Sequence, residues 1–267
     1  MKFVRPGVRL KESSRNSAGM RVFLMIKINS FGKTDVGLVR ENNEDALILE
    51  PELGFWAVAD GMGGEEKGEV ASQIFTETAL EVFSGSPGRS EEEVRRRVQK
   101  TFVLANERIL KWAKKNSVER MGCTAELLTF YASDYLIGHV GDSRSYLFRQ
   151  GELGQITRDH SWVQSQIDEG LMTPAVAQKS PFRNIILRAV GTEDSLAVDL
   201  LSGKSLPGDL YLLCSDGLTS MMDDPVIQEI LARPLDLIPK VDHLIEGAKK
   251  AGGYDNITAV LCEVMAP

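Results

Sequence analysis

The spacing of hydrophobic and polar positions changes several times along the chain, and each change predicts the start of a new helix or strand. Apolar residues recur at helical spacing from Glu69 to Phe83 and from Ser90 to Lys115, and Ser90 with Glu93 has the pattern of a helix N-cap. Shorter β-branched and aromatic runs between turn residues predict strands. These strands span residues 22–28, 46–49, 55–59, 125–131, 135–140, 145–148, 153–156, 196–201, 210–214 and 257–264.

The order of these elements predicts the fold class. Strands come in blocks and helices in consecutive pairs, which favours an α+β fold over alternating βαβ units. We expect two antiparallel β-sheets sandwiched between pairs of α-helices, a four-layer αββα arrangement. A turn is predicted at 30–32, and the strands between 125 and 156 are expected to form one antiparallel meander. Because no linker divides the chain, we expect a single domain at 29–267 after a basic N-terminal arm at 1–28.

Composition narrows the classes of function. The chain has 267 residues, 43% hydrophobic and 26% charged, as in an ordinary globular protein. Its formal net charge of -7 argues against a nucleic-acid partner, because a phosphate backbone would be repelled. The three cysteines lie far apart and support neither a disulfide framework nor a thiolate zinc site. With no apolar run near the roughly 20 residues that span a bilayer, we expect a cytoplasmic protein without a membrane partner.

Four aspartates lie at or just beyond the ends of predicted strands: Asp60, Asp142, Asp216 and Asp255. Each alone is typical of a turn or a helix cap. Four together favour a shared cleft, where uncompensated negative charge is costly and requires a cation. Oxygen ligands alone select Mg²⁺, Mn²⁺ or Ca²⁺. Gly61 fits this interpretation, because without a side chain its carbonyl can approach an ion. The pattern alone does not identify a reaction.

Seven short motifs occur between about Thr34 and Val264. The motifs are VGLVRENNED at 36–45, VADGMGG at 58–64, GEVAS at 68–72, GDSR at 141–144, TRDHS at 157–161, SDGL at 215–218 and DNIT at 255–258. In this order they resemble the motifs of the protein phosphatase 2C (PPM) family, especially its compact bacterial members, and several ordered motifs are more specific than any single Asp-Gly pair.

The resemblance implies a reaction and its metal ligands. Family members hydrolyse phosphoserine and phosphothreonine in proteins with a hydroxide that bridges two Mn²⁺ or Mg²⁺ ions. By this resemblance Asp60 bridges both ions, the Gly61 carbonyl binds one, and Asp216 and Asp255 bind the other. Asp142 joins Asp216 at a third, weaker site.

The resemblance also implies roles for groups that bind no metal. Asp45, and with less support Glu44, would accept hydrogen bonds from metal-bound waters. Arg40 would bind the phosphate oxygens with its planar fork of donors, although the same residue alone would be interpreted as a solvated surface charge. The expected partners are phosphorylated proteins and a cognate Ser/Thr kinase or its targets. We expect a monomer.

This chain departs from the family at one functional position. Members carry a histidine either in place of Met62 or where this chain has Glu65, so a proposed general acid is missing at both. Either Glu65, with a raised pKa, or a metal-bound water would donate the proton. His160 matches a family motif, but a structural hydrogen bond explains it as well as catalysis does. Residues 161–188 correspond to a variable flap beside the site.

Two other classes of function stay open from the sequence. The first is a non-catalytic regulator that keeps the fold and binds phosphoproteins or a kinase; Met62 and Glu65 leave room for it, and the matched aspartates argue against it. The second is a metal-dependent nuclease or other phosphodiesterase, which the net negative charge and the lack of a basic, aromatic-lined strip disfavour.

Overall fold

The computed structural model describes residues 27–63, 67–85 and 90–266, in which two β-sheets pack between helices. The strands are β1 (Ile28–Asp35), β2 (Asp45–Glu50), β3 (Phe55–Gly63), β4 (Met121–Cys123), β5 (Ala125–Tyr131), β6 (Asp134–Val140), β7 (Arg144–Arg149), β8 (Glu152–Gln155), β9 (Asp199–Lys204), β10 (Leu210–Cys214) and β11 (Ile257–Val264). The helices are α1 (Lys67–Phe83), α2 (Glu91–Lys115), α3 (Trp162–Asp168), α4 (Pro174–Ala177), α5 (Asp216–Thr219), α6 (Asp224–Ala232) and α7 (Leu237–Lys250).

Both sheets are antiparallel. The first has the order β1-β11-β10-β7-β8, and the second has the order β2-β3-β5-β6-β9, with β4 paired to β3. The predicted single meander between 125 and 156 is wrong, because the chain changes sheets after Val140. The hairpin β5–β6 therefore belongs to the second sheet and the hairpin β7–β8 to the first.

Strand β10 shows how the layers are held together. Leu210, Leu212 and Cys214 pack with α5, α6 and α7, whereas Tyr211 and Leu213 pack between the two sheets. Successive side chains of a strand point to opposite faces, so a strand covered on both faces is apolar throughout. The second sheet is covered in the same way by α1 and α2 on its outer face. The order of layers is the predicted αββα.

Helix α2 begins and packs for reasons that are visible in the sequence. The Ser90 hydroxyl accepts a hydrogen bond from the Glu93 backbone N–H at 3.2 Å, which is the predicted N-cap. Val98 and Phe102 of this helix lie directly over Gly138 of β6. A Cβ atom on Gly138 would lie 2.4 Å from Val98 Cγ1 and 2.6 Å from Phe102 Cε2, so the helix can approach the sheet only over a glycine.

Three predicted strands differ from the observed ones by more than one residue. The turn predicted at 30–32 is wrong, because these residues lie inside β1 and pair with β11. Strand β9 covers 199–204, not 196–201, and β3 continues past residue 59 to Gly63. The first part of the predicted strand 22–28, together with most of the N-terminal arm, lies outside the described residues.

Two findings concern the environment of the chain. Cys123, Cys214 and Cys262 are all buried and unpaired. Among the helices of the described ranges, none combines the length and the apolar character needed to cross a membrane.

We predict that Gly138→Ala destabilises the protein by about 1–3 kcal/mol, because the added methyl group overpacks the contact between β6 and α2. Urea unfolding at constant pH measures the change. Gly85→Ala is the matched control, since a Cβ there meets no atom within 4 Å, and it should stay within about 0.5 kcal/mol of the parent. Equal stability of the two variants would contradict the close packing.

Candidate metal centre

Five aspartates from both sheets lie at one end of the molecule. In the second sheet Asp45 begins β2 and pairs directly with Asp60 of β3, and Asp142 follows β6 by two residues. In the first sheet Asp216 follows β10 and Asp255 precedes β11. These two strands are antiparallel neighbours, which places the end of one beside the beginning of the other. Residues far apart in sequence are thereby brought together.

Asp60 lies inside β3 and not at its end, which corrects the sequence interpretation. The strand continues because β4 pairs with it, and the Thr124 backbone N–H donates to the Asp60 carbonyl at 2.8 Å. The next residue, Gly61, is packed so tightly that a Cβ atom would lie 2.1 Å from the carbonyl oxygen of Gly68. Glycine at this position is therefore required by packing alone.

The aspartates raise the pKa values of their neighbours in the cluster. Burial raises the pKa of Asp60 well above its usual range, and the charges of Asp45, Asp216, Asp142 and Asp255 raise it further. Burial also raises the pKa of Asp216 to about 6, and the charge of Asp255 raises it further. Because carboxylates that lie this close repel one another, a bound cation would relieve the repulsion.

Asp45 is fixed by hydroxyl groups from the first sheet. Its Oδ2 accepts hydrogen bonds from Ser215 Oγ at 2.7 Å and from Thr258 Oγ1 at 2.6 Å. Its Oδ1 is buried and has no hydrogen-bond partner. Burial raises the pKa of Asp45 to about 7 against the effect of both hydroxyls, and the charges of Asp216 and Asp255 add to the rise.

Asp142 has the same combination of features. It is buried, its Oδ1 has no hydrogen-bond partner, and burial followed by the charge of Asp216 raises its pKa well above the usual range. The preceding Gly141 is held on both sides by one residue: its N–H donates to His160 Nδ1 at 3.0 Å, and its carbonyl accepts from the His160 N–H at 2.7 Å. The interpretation of His160 as a structural residue agrees with these bonds.

These residues fit a hard divalent cation. Two buried carboxylate oxygens lack partners, the charges of neighbouring aspartates raise the pKa of Asp60, and every donor is oxygen. Within the described ranges, no three His, Cys, Asp or Glu side chains are grouped closely enough to hold a metal ion between them without waters. Mg²⁺ does not need such a grouping, because it keeps several waters and is held by one or two carboxylates. The donor set therefore suits hydrated ions shared among several aspartates.

Arg40 lies at the exposed rim of this acidic cluster. Its Nη2 donates to Asp255 Oδ2 at 2.8 Å, and this hydrogen bond is the main reason that the pKa of Arg40 is raised. Glu44 points instead to the first turn of α1, where its Oε1 accepts a hydrogen bond from the Gly68 N–H at 3.2 Å. Glu44 thus caps a helix, and Asp45 is the better placed of the two at the aspartate cluster.

Asn256 positions the loop that carries Arg40, a role that the sequence did not reveal. Its Nδ2 donates to the carbonyls of Val36 and Asn42, and its Oδ1 accepts from the Glu44 N–H at 2.8 Å. The signal in the sequence was its place directly after Asp255 in a family motif. The Ser215 and Thr258 hydroxyls that hold Asp45 likewise belong to motifs in which the sequence assigned them no role.

Neither of the two positions at which family members carry a histidine shows a general acid in the part of the chain that the structure describes. Met62 is half-buried in β3, and a thioether has no proton to donate. Glu65 lies outside the described residues, so its role stays a prediction. His139 is a satisfied core residue, bonded to Glu126 and to the Arg158 carbonyl.

The segment 161–188 leaves and rejoins the body of the protein at one place. Ser161 and Ile186 form an antiparallel bridge, and the Leu187 N–H donates to the His160 carbonyl at 2.7 Å. Between these ends the segment contains α3 and α4 and an edge-on contact of Trp162 with Phe182. The segment is therefore joined at its base to the residue that holds Gly141 next to Asp142.

In sequence the chain is similar to bacterial serine/threonine phosphatases. The family described as "Protein phosphatase 2C" matches residues 39–262. Serine/threonine protein phosphatase PstP of Mycobacterium tuberculosis is 37% identical over 246 residues, which are 92% of this chain and 46% of PstP. Serine/threonine phosphatase stp of Listeria innocua is 35% identical over 236 residues, which are 86% of this chain and 94% of that protein. The chain thus spans about half the length of PstP.

Solved structures agree with the sequence comparison. The crystal structure of the Mycobacterium tuberculosis phosphatase PstP/Ppp superposes with a TM-score of 0.82 at 36% identity, covering 90% of this chain and 99% of that one. The catalytic domain of PstP in complex with two manganese ions also has a TM-score of 0.82, at 34% identity, covering 91% of this chain and 100% of that one.

The two-sheet fold is shared with solved bacterial serine/threonine phosphatases. The chain belongs to the protein phosphatase 2C family. The predictions of family and fold class are confirmed.

We predict that Asp60→Asn stabilises the metal-free protein by at least about 1 kcal/mol near pH 7.5, because it removes one of the repelling carboxylates. Between pH about 4 and 7 the folded protein binds more protons at these aspartates than the unfolded chain does. The stability of the parent protein therefore falls as pH rises through this window, and the advantage of the variant grows.

Urea unfolding in EDTA at pH 4.5 and 7.5 measures both effects. Asp194→Asn, which changes an exposed acid in the loop before β9, is the control and should not alter the pH dependence. Manganese should raise the melting temperature of the parent more than that of Asp60→Asn. An Asp60→Asn variant that is less stable than the parent at pH 7.5 without metal would contradict the interpretation.

Proposed function

We propose that this chain hydrolyses phosphoserine and phosphothreonine in proteins with two Mn²⁺ or Mg²⁺ ions, and so reverses the action of a Ser/Thr kinase. The observation that carries the proposal is the cluster of aspartates from both sheets, two of which have a buried oxygen without a partner, beside the exposed guanidinium of Arg40. A protein phosphatase acts on phosphoproteins, and the relatives PstP and stp are named as serine/threonine phosphatases.

The proposed ligands follow from where the residues lie. Asp60, at the centre of the cluster, would bridge two ions, with the Gly61 carbonyl on one and Asp216 and Asp255 on the other. Asp142, whose pKa is raised by Asp216, would share a third ion with that residue. When bound, the ions supply a water that loses its proton near neutral pH, and positive charge for the phosphoryl oxygens. The two manganese ions in the PstP catalytic domain support this assignment.

Arg40 would bind the phosphate, and Asp45 would orient a water. A guanidinium carries five N–H donors, so Arg40 can keep its bond to Asp255 and still bind two phosphate oxygens. Asp45 has one oxygen fixed by Ser215 and Thr258, which leaves Oδ1 to orient water at the centre. The proton for the leaving alkoxide would come from Glu65 or from a water.

Several wider expectations belong to the same proposal. Residues 29–267 would form one catalytic domain, with a flap at 161–188 facing the substrate and an arm at 1–28 of which only the end, in β1, is described. The shared core between the sheets supports the single domain. The three buried, unpaired thiols suit a reducing, cytoplasmic compartment. We also propose a monomer, which light scattering would test.

We predict manganese-dependent hydrolysis of a phosphothreonine peptide that stops with EDTA. Arg40→Ala should lower kcat/KM about 10–100-fold, because a charged hydrogen bond contributes roughly 1.5–3 kcal/mol. Arg40→Lys should recover only part of the loss, since an ammonium lacks the planar fork. Arg96→Ala, which removes an exposed arginine from α2, is the matched control and should keep parental kinetics.

Two outcomes would contradict the phosphatase proposal and favour another class of function. Calorimetric manganese binding without turnover of the peptide or of p-nitrophenyl phosphate would indicate a non-catalytic regulator. Faster turnover of bis-p-nitrophenyl phosphate than of the monoester would indicate a phosphodiesterase.

A further inference from the structure

Three large apolar side chains are exposed beside the ion pair of Arg40 and Asp255. Leu38 is 62% exposed, Val39 59% and Tyr254 62%. Leu38 and Val39 directly precede Arg40 in the chain, and Tyr254 directly precedes Asp255. Because Arg40 Nη2 and Asp255 Oδ2 are 2.8 Å apart, apolar surface flanks this pair from two loops. We call Leu38, Val39 and Tyr254 the apolar shelf.

The two loops of the apolar shelf are in contact with each other. The Leu38 N–H donates to the Gly253 carbonyl at 2.8 Å, and a Cβ atom on Gly253 would lie 3.0 Å from Leu38 Cγ. A Cβ atom on Gly252 would lie 2.7 Å from the ring of Tyr254. The Leu38 side chain therefore lies near Gly253 and the Tyr254 ring near Gly252, which are adjacent residues of one loop.

The apolar shelf is also held in place before anything binds to it. Asp35 accepts hydrogen bonds from the Gly37 N–H at 3.0 Å and from Lys249 Nζ at 3.0 Å, which ties the first loop to α7. The Nδ2 atom of Asn256 donates to the Val36 carbonyl and ties the same loop to the start of β11. A surface that is already ordered loses little conformational entropy on binding.

Single exposed apolar residues are normal on a protein surface. Three on the two loops that also carry the Arg40–Asp255 pair are different, because a phosphoprotein bound at Arg40 would lie beside these loops. Arg40 would fix the phosphate, and the residues that flank the phosphorylated one would follow at a rise of about 3.3 Å per extended residue, which brings them toward the apolar shelf. A tyrosine ring offers a large rigid contact area at low entropic cost.

We propose that the apolar shelf binds an apolar side chain next to the phosphorylated serine or threonine, so that the enzyme selects phosphoprotein segments with such a neighbour. This inference rests on the proposed function. The occupant is a segment of the substrate, and its recognition combines the phosphate on Arg40 with burial of one hydrophobic side chain. Part of the substrate specificity would then depend on residues outside the aspartate cluster.

The test compares two phosphothreonine peptides that differ only in their flanking residues, leucine or glycine on both sides of the phosphothreonine. For the parent protein kcat/KM should be about tenfold higher for the leucine peptide, mainly through KM, which corresponds to about 1.4 kcal/mol. Tyr254→Ser and Leu38→Ser should each lower this ratio to about threefold or less. Tyr254→Phe should keep the ratio, because the ring is retained.

Leu206→Ser is the matched control. Leu206 is 45% exposed, but it lies before β10, at the opposite end of that strand from Asp216, so its loss should leave the ratio unchanged. Because the readout is the ratio of kcat/KM for the two peptides, a general loss of activity in a variant does not affect it. Two independent serine variants are used in case one of them misfolds. Hydrolysis of neither peptide by the parent would refute the phosphatase proposal itself.

Equal hydrolysis of both peptides by the parent, or an unchanged ratio in both serine variants, would overturn the apolar shelf alone. A concentration-dependent dimer of the parent that Tyr254→Ser dissociates, with the ratio unchanged, would assign the shelf to a second copy of the chain and would also overturn the proposal.

Discussion

Mutual repulsion among closely placed carboxylates is the constraint on which this structure depends. Asp45, Asp60, Asp142 and Asp216 raise one another's energy, as their upward pKa shifts show. No local preference of the chain would bring these groups together, and each would be better hydrated apart. Their proximity is maintained by the packing of two sheets, whose stability is large enough to offset the repulsion until a cation or a proton relieves it.

The two packed sheets hold the aspartates together through their rigid backbone and a few side chains. Asp60 is fixed by the pairing of β3 with both β2 and β4, and Asp216 and Asp255 are fixed by neighbouring strands of the other sheet. The sheets are joined by a shared apolar core that includes Trp56 and Tyr211. The hydroxyls of Ser215 and Thr258 then reach across to Asp45, so a polar contact spans the gap that the core holds closed.

The strands that the sequence predicted best are those buried on both faces. Strands β10 and β11 agree with the prediction at both ends, because a fully apolar run bounded by polar residues has little alternative. Strand β1 was predicted poorly, since Ser30, Phe31 and Gly32 have the local preference of a turn. Pairing with β11 overrides that preference, and Gly32 lies in close contact with Val260.

The sequence by itself determined the number and type of most elements, the acidic oxygen-only chemistry, and the family through its ordered motifs. Local periodicity and capping depend on neighbours in the chain, and these are visible directly in the order of residues. Only the tertiary structure decided that Asp45 pairs with Asp60, that Glu44 caps α1, and that Leu38 lies against the loop that carries Tyr254. Such contacts join residues that are remote in sequence, so their geometry depends on how the two sheets pack and not on local preference.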